Sequence, residues 1–449
     1  MAFNESLDFV LNELSIVAKD GKKYDIKQIY GELSIFDSLT MPVMSGNVLI
    51  RDSVGLSDAL FFDGSEVLLV DISKVDKADP FNMRSSFRIY QQTNRKSDRP
   101  TSESYLLHFV SDEMIFSDQL RVNQFYENNY SEIAKKILID YLKISKDKIG
   151  IEASKGIKSV VIPNLRPLEA INWCAARAVD DKLSPNFMFF ENITGFNFLS
   201  LSEMLIRDSI IDIKFDTKNI IPDQPLLEMN SARSLEVISQ ANSIRKIRTG
   251  VNAGKYIAFD PVTRSIQTKL ISFGDIYGNM DHGNQTPNFS VLQNRDGSVN
   301  YENYDSRKSL GLFSTFQKQS NYIKKKDPTS ISKLEDYENF VFQRRAIFEN
   351  LYSARLKIVM PGNLQLSSGF NVNVQAPVFG KRVTGYEKED SSIDGKYVIT
   401  ASRNIFNGLT NKHETIIEVA TTSNKRGFID TSSSQQTDEA KNYDNYFVF

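Results

Sequence analysis

Two similar antiparallel β-barrels flanking a small α+β domain is the architecture this sequence predicts. Both ends of the chain alternate apolar and polar residues over short runs broken by turns, while the stretch between them switches to helical spacing. Phe (30) and Tyr (18) are abundant against 3 His, 1 Trp and 1 Cys, and aromatic and β-branched side chains suit a pleated, half-buried surface. A strand followed by a loop and Gly-x-x-Val-x-[Leu/Val] occurs in each β-rich end: Gly64, Val67 and Leu69, then Gly369, Val372 and Val374.

The elements follow in order. Residues 1–115 form the first barrel domain. YDIKQIYGELSIFDSL and SGNVLIRDSVGL alternate as half-buried strands should, and DGSEVLLVDI follows a Gly turn. FRIYQQTN and ESYLLHFVSDEM are further strands, separated by NRKSDRPTSES as a polar loop. Residues 116–228 form the middle α+β domain. NNYSEIAKKILIDYLKI places Ile133, Ile137, Leu138 and Tyr141 at helical spacing with Ser131 as N-cap. The strand IKSVVIPN precedes a second helix in IPNLRPLEAINWCAARAV. NFMFFENITGFNFLS is a hairpin around Asn192-Ile193-Thr194-Gly195.

Residues 229–425 form the second barrel domain, opening with a helix in SARSLEVISQANSI. Two long strands surround the turn Asp260-Pro261-Val262-Thr263. Residues 276–340 are polar and without period, an insertion or binding arm. The helix VFQRRAIFENLYS then leads into ARLKIVMPGNLQLSSGFNVNVQAPV, GKYVITASRNIF and HETIIEVATTS. Residues 426–449 are a polar, flexible tail ending in an apolar FVF.

Composition narrows the function. The 449 residues allow two to four domains. A net charge of −2 gives the whole chain no electrostatic footprint for nucleic acid. A single Cys permits neither an intramolecular disulfide nor a Cys-rich zinc site. The start, MAFNESLDFVLNEL, is acidic where a signal peptide is basic, and no apolar run approaches the ~20 residues of a membrane span.

Cys174 beside Trp173 invites a catalytic reading. With Pro167 at the first helical position and Glu169 closing a capping box, however, Leu168, Ile171, Ala175, Ala178 and Val179 share one face. Cys174 lies at the edge of that face and Trp173 projects nearly opposite, so the two cannot easily wall one pocket. Cys174 reads as a small buried hydrophobe. Trp173 reads as covering a second surface, either hairpin 187–199 or a neighbouring chain. His108 is a strand residue. Asp281-His282 and His413-Glu414 lack a second His at ligand spacing. Phosphate-binding Gly loops and a nucleophile elbow are missing. Arg245, Lys246 and Arg248, and Lys324, Lys325 and Lys326, are short basic runs that read as solvated faces. Catalytic residues, cofactors and metals are therefore expected to be none.

Three stretches together resemble the central baseplate hub protein of contractile-tailed, myovirus-like bacteriophages. They are SIFDSLTMPVMSGNVLIRDSVGLSDALFFDGSEVLLVDI; VIPNLRPLEAINWCAARAV with NFMFFENITGFNFLSLSEML; and MPGNLQLSSGFNVNVQAPV with GKYVITASRNIF. One departure is Arg166, where a Ser, Thr or Asp cap would be expected before Pro167. The resemblance implies two tube-like barrels per chain, six in a homotrimer, forming a pseudo-sixfold ring between a hexameric tail tube and a threefold spike. It implies a lumen that passes DNA without sequence-specific binding and a place in the virion tail baseplate, assembled in the host cytoplasm. The implied partners are the central spike protein, the tail tube protein, baseplate wedge proteins and the tape measure protein. Gly64, Gly369 and Trp173 are the structural residues singled out. The alternatives are a peptidoglycan-degrading tail hydrolase, a carbohydrate-binding module, and the hub of a phage-derived secretion or bacteriocin particle.

Overall fold

The structure, a computed structural model, describes residues 9–60, 62–74, 83–99, 102–215, 230–239, 244, 253–260, 265–272, 280–284, 286–287, 311–316, 337–352, 354–376 and 393–424. The expected turn at 261–263, the two basic runs, most of 276–340 and the tail 426–449 lie outside the described residues.

The first region runs β1 (Phe9–Val17), β2 (Lys23–Asp25), β3 (Tyr30–Ser38), β4 (Ser45–Asp52), the single-turn helix α1 (Leu56–Ala59), β5 (Val67–Lys74), β6 (Met83–Arg99) and β7 (Ser102–Ser111). Alternation sends Leu33, Val48, Ile50, Leu68, Val70, Phe87, Tyr105 and Phe109 into one core shared by these strands. Two expectations change here. NRKSDR, the first part of the expected loop, is not a loop: β6 continues through Arg95 to Arg99, because Arg95 reaches Glu103 on β7 (2.8 Å) and an irregularity at Thr93/Lys96 absorbs the extra residue. The strand ESYLLHFVSDEM stops at Ser111, and helix α2 (Asp112–Gln119) begins at once, with Asp112 and Glu113 in its first turn.

The middle region has β8 (Phe125–Asn128), α3 (Tyr130–Asp140), β9 (Ile149–Ile151), β10 (Lys158–Val161), α4 (Pro167–Ala175), β11 (Phe187–Asn192), β12 (Gly195–Ser200), α5 (Leu201–Ile206) and β13 (Ser209–Lys214). The helix at 130 is capped by Asn129, not Ser131: the Asn129 side chain accepts from the Glu132 amide (2.8 Å), which places Ser131 inside the first turn. Helix α4 begins as expected. Pro167 sits at its first position, and the Arg166 amide donates to Glu169 Oε2 (3.2 Å).

The last region holds β14 (Ser234–Ser239), β15 (Ala253–Asp260), β16 (Ser265–Ser272), β17 (Thr286–Pro287), β18 (Gly311–Phe316), α6 (Tyr337–Leu351), β19 (Arg355–Pro361), β20 (Asn371–Gln375), β21 (Gly395–Asn407), β22 (Lys412–Ala420) and β23 (Ser423–Asn424). Ser234–Ser239, within the helix expected in SARSLEVISQANSI, is instead strand β14. Its backbone groups find a ladder on β19, and Val237-Ile238 supply β-branched side chains that suit one. Residues Gly311–Phe316, inside the expected insertion, are likewise a strand, paired in parallel with β15.

A 13-stranded sheet joins the two ends in the order β14-β19-β22-β21-β3-β4-β7-β6-β5-β1-β2, with β20 on β21 and β13 on β20. It contains the same unit twice. β3-β4-β7-β6-β5 and β14-β19-β22-β21-β20 are five antiparallel strands in the same order of connection. In the three central strands, β4, β7 and the first part of β6 against β19, β22 and β21, the pairings match at one constant separation: Ser45–Val110 and Ile89–Phe109 become Arg355–Ala420 and Ile399–Val419. Even the register shift recurs, at Ile89/Gln91 and at Ile399/Ala401. Two tandem copies of one fold are a fact of the hydrogen-bond ladder here.

Candidate functional site

The regions meet at a polar seam around Gly369. On β3, Asp37 accepts from Ser367 Oγ and from the Ser368 amide, both at 2.7 Å. From the hairpin, Asn192 Nδ2 donates to the Ser368 carbonyl (2.9 Å). Its neighbour Glu191 accepts on Oε2 from the Met44 amide (2.7 Å) and Ser111 Oγ (2.6 Å). First region, middle region and second repeat are thus tied by two carboxyls and an amide. Burial pushes Asp37 up to about 6, against the bonds from Ser367 and Ser368, which favour its charged form. Glu191 is pushed up to about 8, by burial first and by Glu113 second. Both donors converge on Oε2 of Glu191.

Gly369 closes this seam. It has φ +86°, and a Cβ there would come within 2.6 Å of the Phe190 ring. Gly64, its counterpart by sequence, has φ +90°, and a Cβ there would meet only the Ile89 carbonyl oxygen, at 3.9 Å. Both glycines therefore serve a left-handed backbone position, but only Gly369 also admits a neighbouring ring. The motif they begin is out of register by one. Val372 and Val374 are buried, whereas in the first copy Leu68 and Val70 are buried in place of Val67 and Leu69. The run VLLV is apolar on both faces, so the sequence pattern could not choose between them.

Arg344 of α6 ties a second seam. Its Nη1 donates to the carbonyls of Ala175 (3.2 Å), Pro185 (3.4 Å) and Phe187 (2.7 Å). Burial lowers its pKa to about 10. A guanidinium at the last residue of α4 also suits the negative end of that helix.

Cys174 is fully buried in the middle core among Ile171, Ala175 and Ala178. Trp173 points elsewhere, as helical geometry requires, and meets the first residue of α3. It stands edge-on to Tyr130 (6.1 Å between centroids), and the Arg177 guanidinium lies 3.9 Å from its ring centroid. The histidines are dispersed. His108 Nε2 pairs with Thr93 Oγ1 (2.8 Å), His282 Nδ1 with Thr422 Oγ1 (3.2 Å) and buried His413 Nε2 with Asn404 Oδ1 (3.0 Å). Among the described residues no group of three His, Cys, Asp or Glu side chains is placed to hold a metal ion, and no helix is long and apolar enough to cross a membrane. Asp37 and Glu191, the acids most displaced from their ordinary range, hold strands and loops together. Nothing in the sequence marks them, since their partners lie 80 to 331 residues away.

No protein-family model matches the chain, nor does any curated protein sequence. Among solved structures it is similar to the 43 kDa tail protein of prophage MuSo2 from Shewanella oneidensis. Identity is 10%, the TM-score is 0.50, and the match covers 91% of this chain and 98% of that one. It is also similar to the tail protein from Neisseria meningitidis MC58, at 10% identity and TM-score 0.49, over 92% of this chain and 96% of that one. The MuSo2 comparison shows a shared fold.

Proposed function

We propose that the chain is a structural hub of a contractile phage tail, acting without catalysis. Three copies form a ring that adapts a sixfold tail tube to a threefold spike and passes DNA through its lumen. The observation that carries this reading is the doubled five-strand unit. A ring of three chains presents six near-equivalent surfaces only if each chain contains the unit twice. The fold shared with a phage tail protein supports the same assignment. In this reading residues 1–115 and 229–425 are the two tube-like barrel domains, 116–228 is the middle domain, and spike, tube, wedge and tape measure proteins are the partners. The deeply placed acids support a structural role, because their oxygens are committed to backbone amides and serines across the seams.

Native mass measurement and particle imaging of the full chain, alone and with a tail spike, test the proposal. A three-chain ring with six similar lobes is expected. A chain that stays single with the spike present, or one that clears peptidoglycan on a zymogram, overturns it.

A further inference from the structure

The doubled unit specifies how one copy meets the next. Within the chain the two units join edge to edge. Residues Ala401–Asn407 of β21 pair with Ser38–Glu32 of β3, with Ile405 opposite Ser34 and Arg403 opposite Phe36. Each partner has a counterpart in the other unit. Lys96 stands opposite Ser104 as Ile405 stands opposite Glu414, and Thr93 opposite Leu106 as Arg403 opposite Ile416. On the other side, Glu236 stands opposite Lys357 as Ser34 stands opposite Asn47, and Ser239 opposite Arg355 as Phe36 opposite Ser45. The equivalent of the internal joint is thus the outer part of β6 against β14.

These two segments sit at opposite ends of the repeat and do not pair with each other. Among the described strands, β14 pairs only with β19, and β6 beyond Ile89 only with β7. Val237 and Ile238 are each 39% exposed, and Lys96 is exposed. At the internal joint Ile35, the counterpart of Val237, is buried, as are Leu33 and Phe406, the counterparts of Leu235 and Ser97. An edge strand that leaves apolar side chains in water is a template for another strand.

We infer that β14 of one copy pairs antiparallel with Gln91–Ser97 of β6 in a second copy of this chain, repeating between chains the joint that β3 and β21 make within one. The register follows: Glu236 stands opposite Lys96, and Ser239 opposite Thr93. The first pair is charge-complementary, and opposite charges facing each other across a ladder favour that register. The inference rests on the ring proposed above and adds the surface and register by which it closes.

Cysteine pairing tests it on the full chain. Directly opposed residues of an antiparallel ladder have Cα atoms about 4.5–5.5 Å apart, within disulfide reach, and the native Cys174 is fully buried. Lys96→Cys and Glu236→Cys chains, mixed and oxidised, should give a covalent dimer that neither gives alone. The double variant in one chain should give a covalent series ending at the ring. In parallel, Glu236→Lys and Lys96→Glu should each weaken self-association about fivefold per contact, and combining them should restore it. A native oligomer that forms no such disulfide and shows no charge rescue overturns this pairing and leaves the ring standing. A chain that stays single at every concentration and with spike present overturns both.

Discussion

The joint between β3 and β21 and the two open edges at β14 and β6 are the same positions of one repeated unit in two environments. At the joint, Leu33 and Phe406 face each other and both are fully buried. At the edges the equivalent positions carry Leu235 and Ser97, flanked by charged Glu236 and Lys96. A joint inside one chain forms at high local concentration and risks no wrong partner, so it can be greasy. An edge that waits for another molecule must resist indiscriminate pairing, and charges on an edge strand do so. The difference separates what holds a copy together from what selects its neighbour.

The largest expected effect breaks the joint. Phe406 is fully buried and stacks on His413 at 4.2 Å, so Phe406→Ala should cost about 3–5 kcal/mol in denaturant unfolding. Val237→Asp on the open edge should leave that measurement within about 0.5 kcal/mol while abolishing the native oligomer. Equal losses of stability at the two positions would erase the contrast.

The next effect compares the glycines. Gly369→Ala meets both a left-handed backbone and the Phe190 ring, and should cost about 3 kcal/mol or more; Gly64→Ala meets only the backbone and should cost about 1 kcal/mol. Asp37→Ala follows. It strands two buried donors for about 2–3 kcal/mol.

The seam acids also set a pH dependence. Asp37 rises from 3.8 to about 6 and Glu191 from 4.5 to about 8 on folding. The native state therefore holds protons that the unfolded chain has released. Their contribution is fully present below about pH 4 and is lost as pH climbs to 8. Stability measured from pH 5 to 8 should fall, and Asp37→Asn with Glu191→Gln should flatten the fall. The smallest effect is at Trp173, half-buried on Tyr130. Trp173→Ala should cost about 2 kcal/mol, read as a lowered thermal midpoint.

Much of the ladder was legible because alternation is local. β3, β4, β21 and β22 follow from which residues face the core. Helix α4 was legible from Pro167 and Glu169 alone. β14 is not legible from its own residues, because Leu235 and Ile238 also have helical spacing, and only the presence of β19 decides. The strand part of NRKSDRP was hidden because its side chains bond to β7 rather than to a core. The repeat showed in sequence only as two glycines and a few aliphatics, one residue out of register. Its true signature is the set of pairings, which exists only after folding. The seam acids were silent for the same reason: a carboxylate that bonds an amide hundreds of residues away has no local pattern.

β21 has a mechanical consequence. One strand of 13 residues serves β20 at its Gly395 end and β3 at its Asn407 end, so a single rigid rod spans both units. Antiparallel hydrogen bonds run perpendicular to the strands. A pull along that rod therefore strains the whole contact with β3 at once, whereas a sideways pull would open it one pair at a time like a zip. The chain should be stiff along the strand direction and weak across it, and single-molecule pulling between residues near Thr40 and Leu409, at opposite ends of the joint, against pulling between Asp25 and Leu409 at one end of it, would expose that anisotropy.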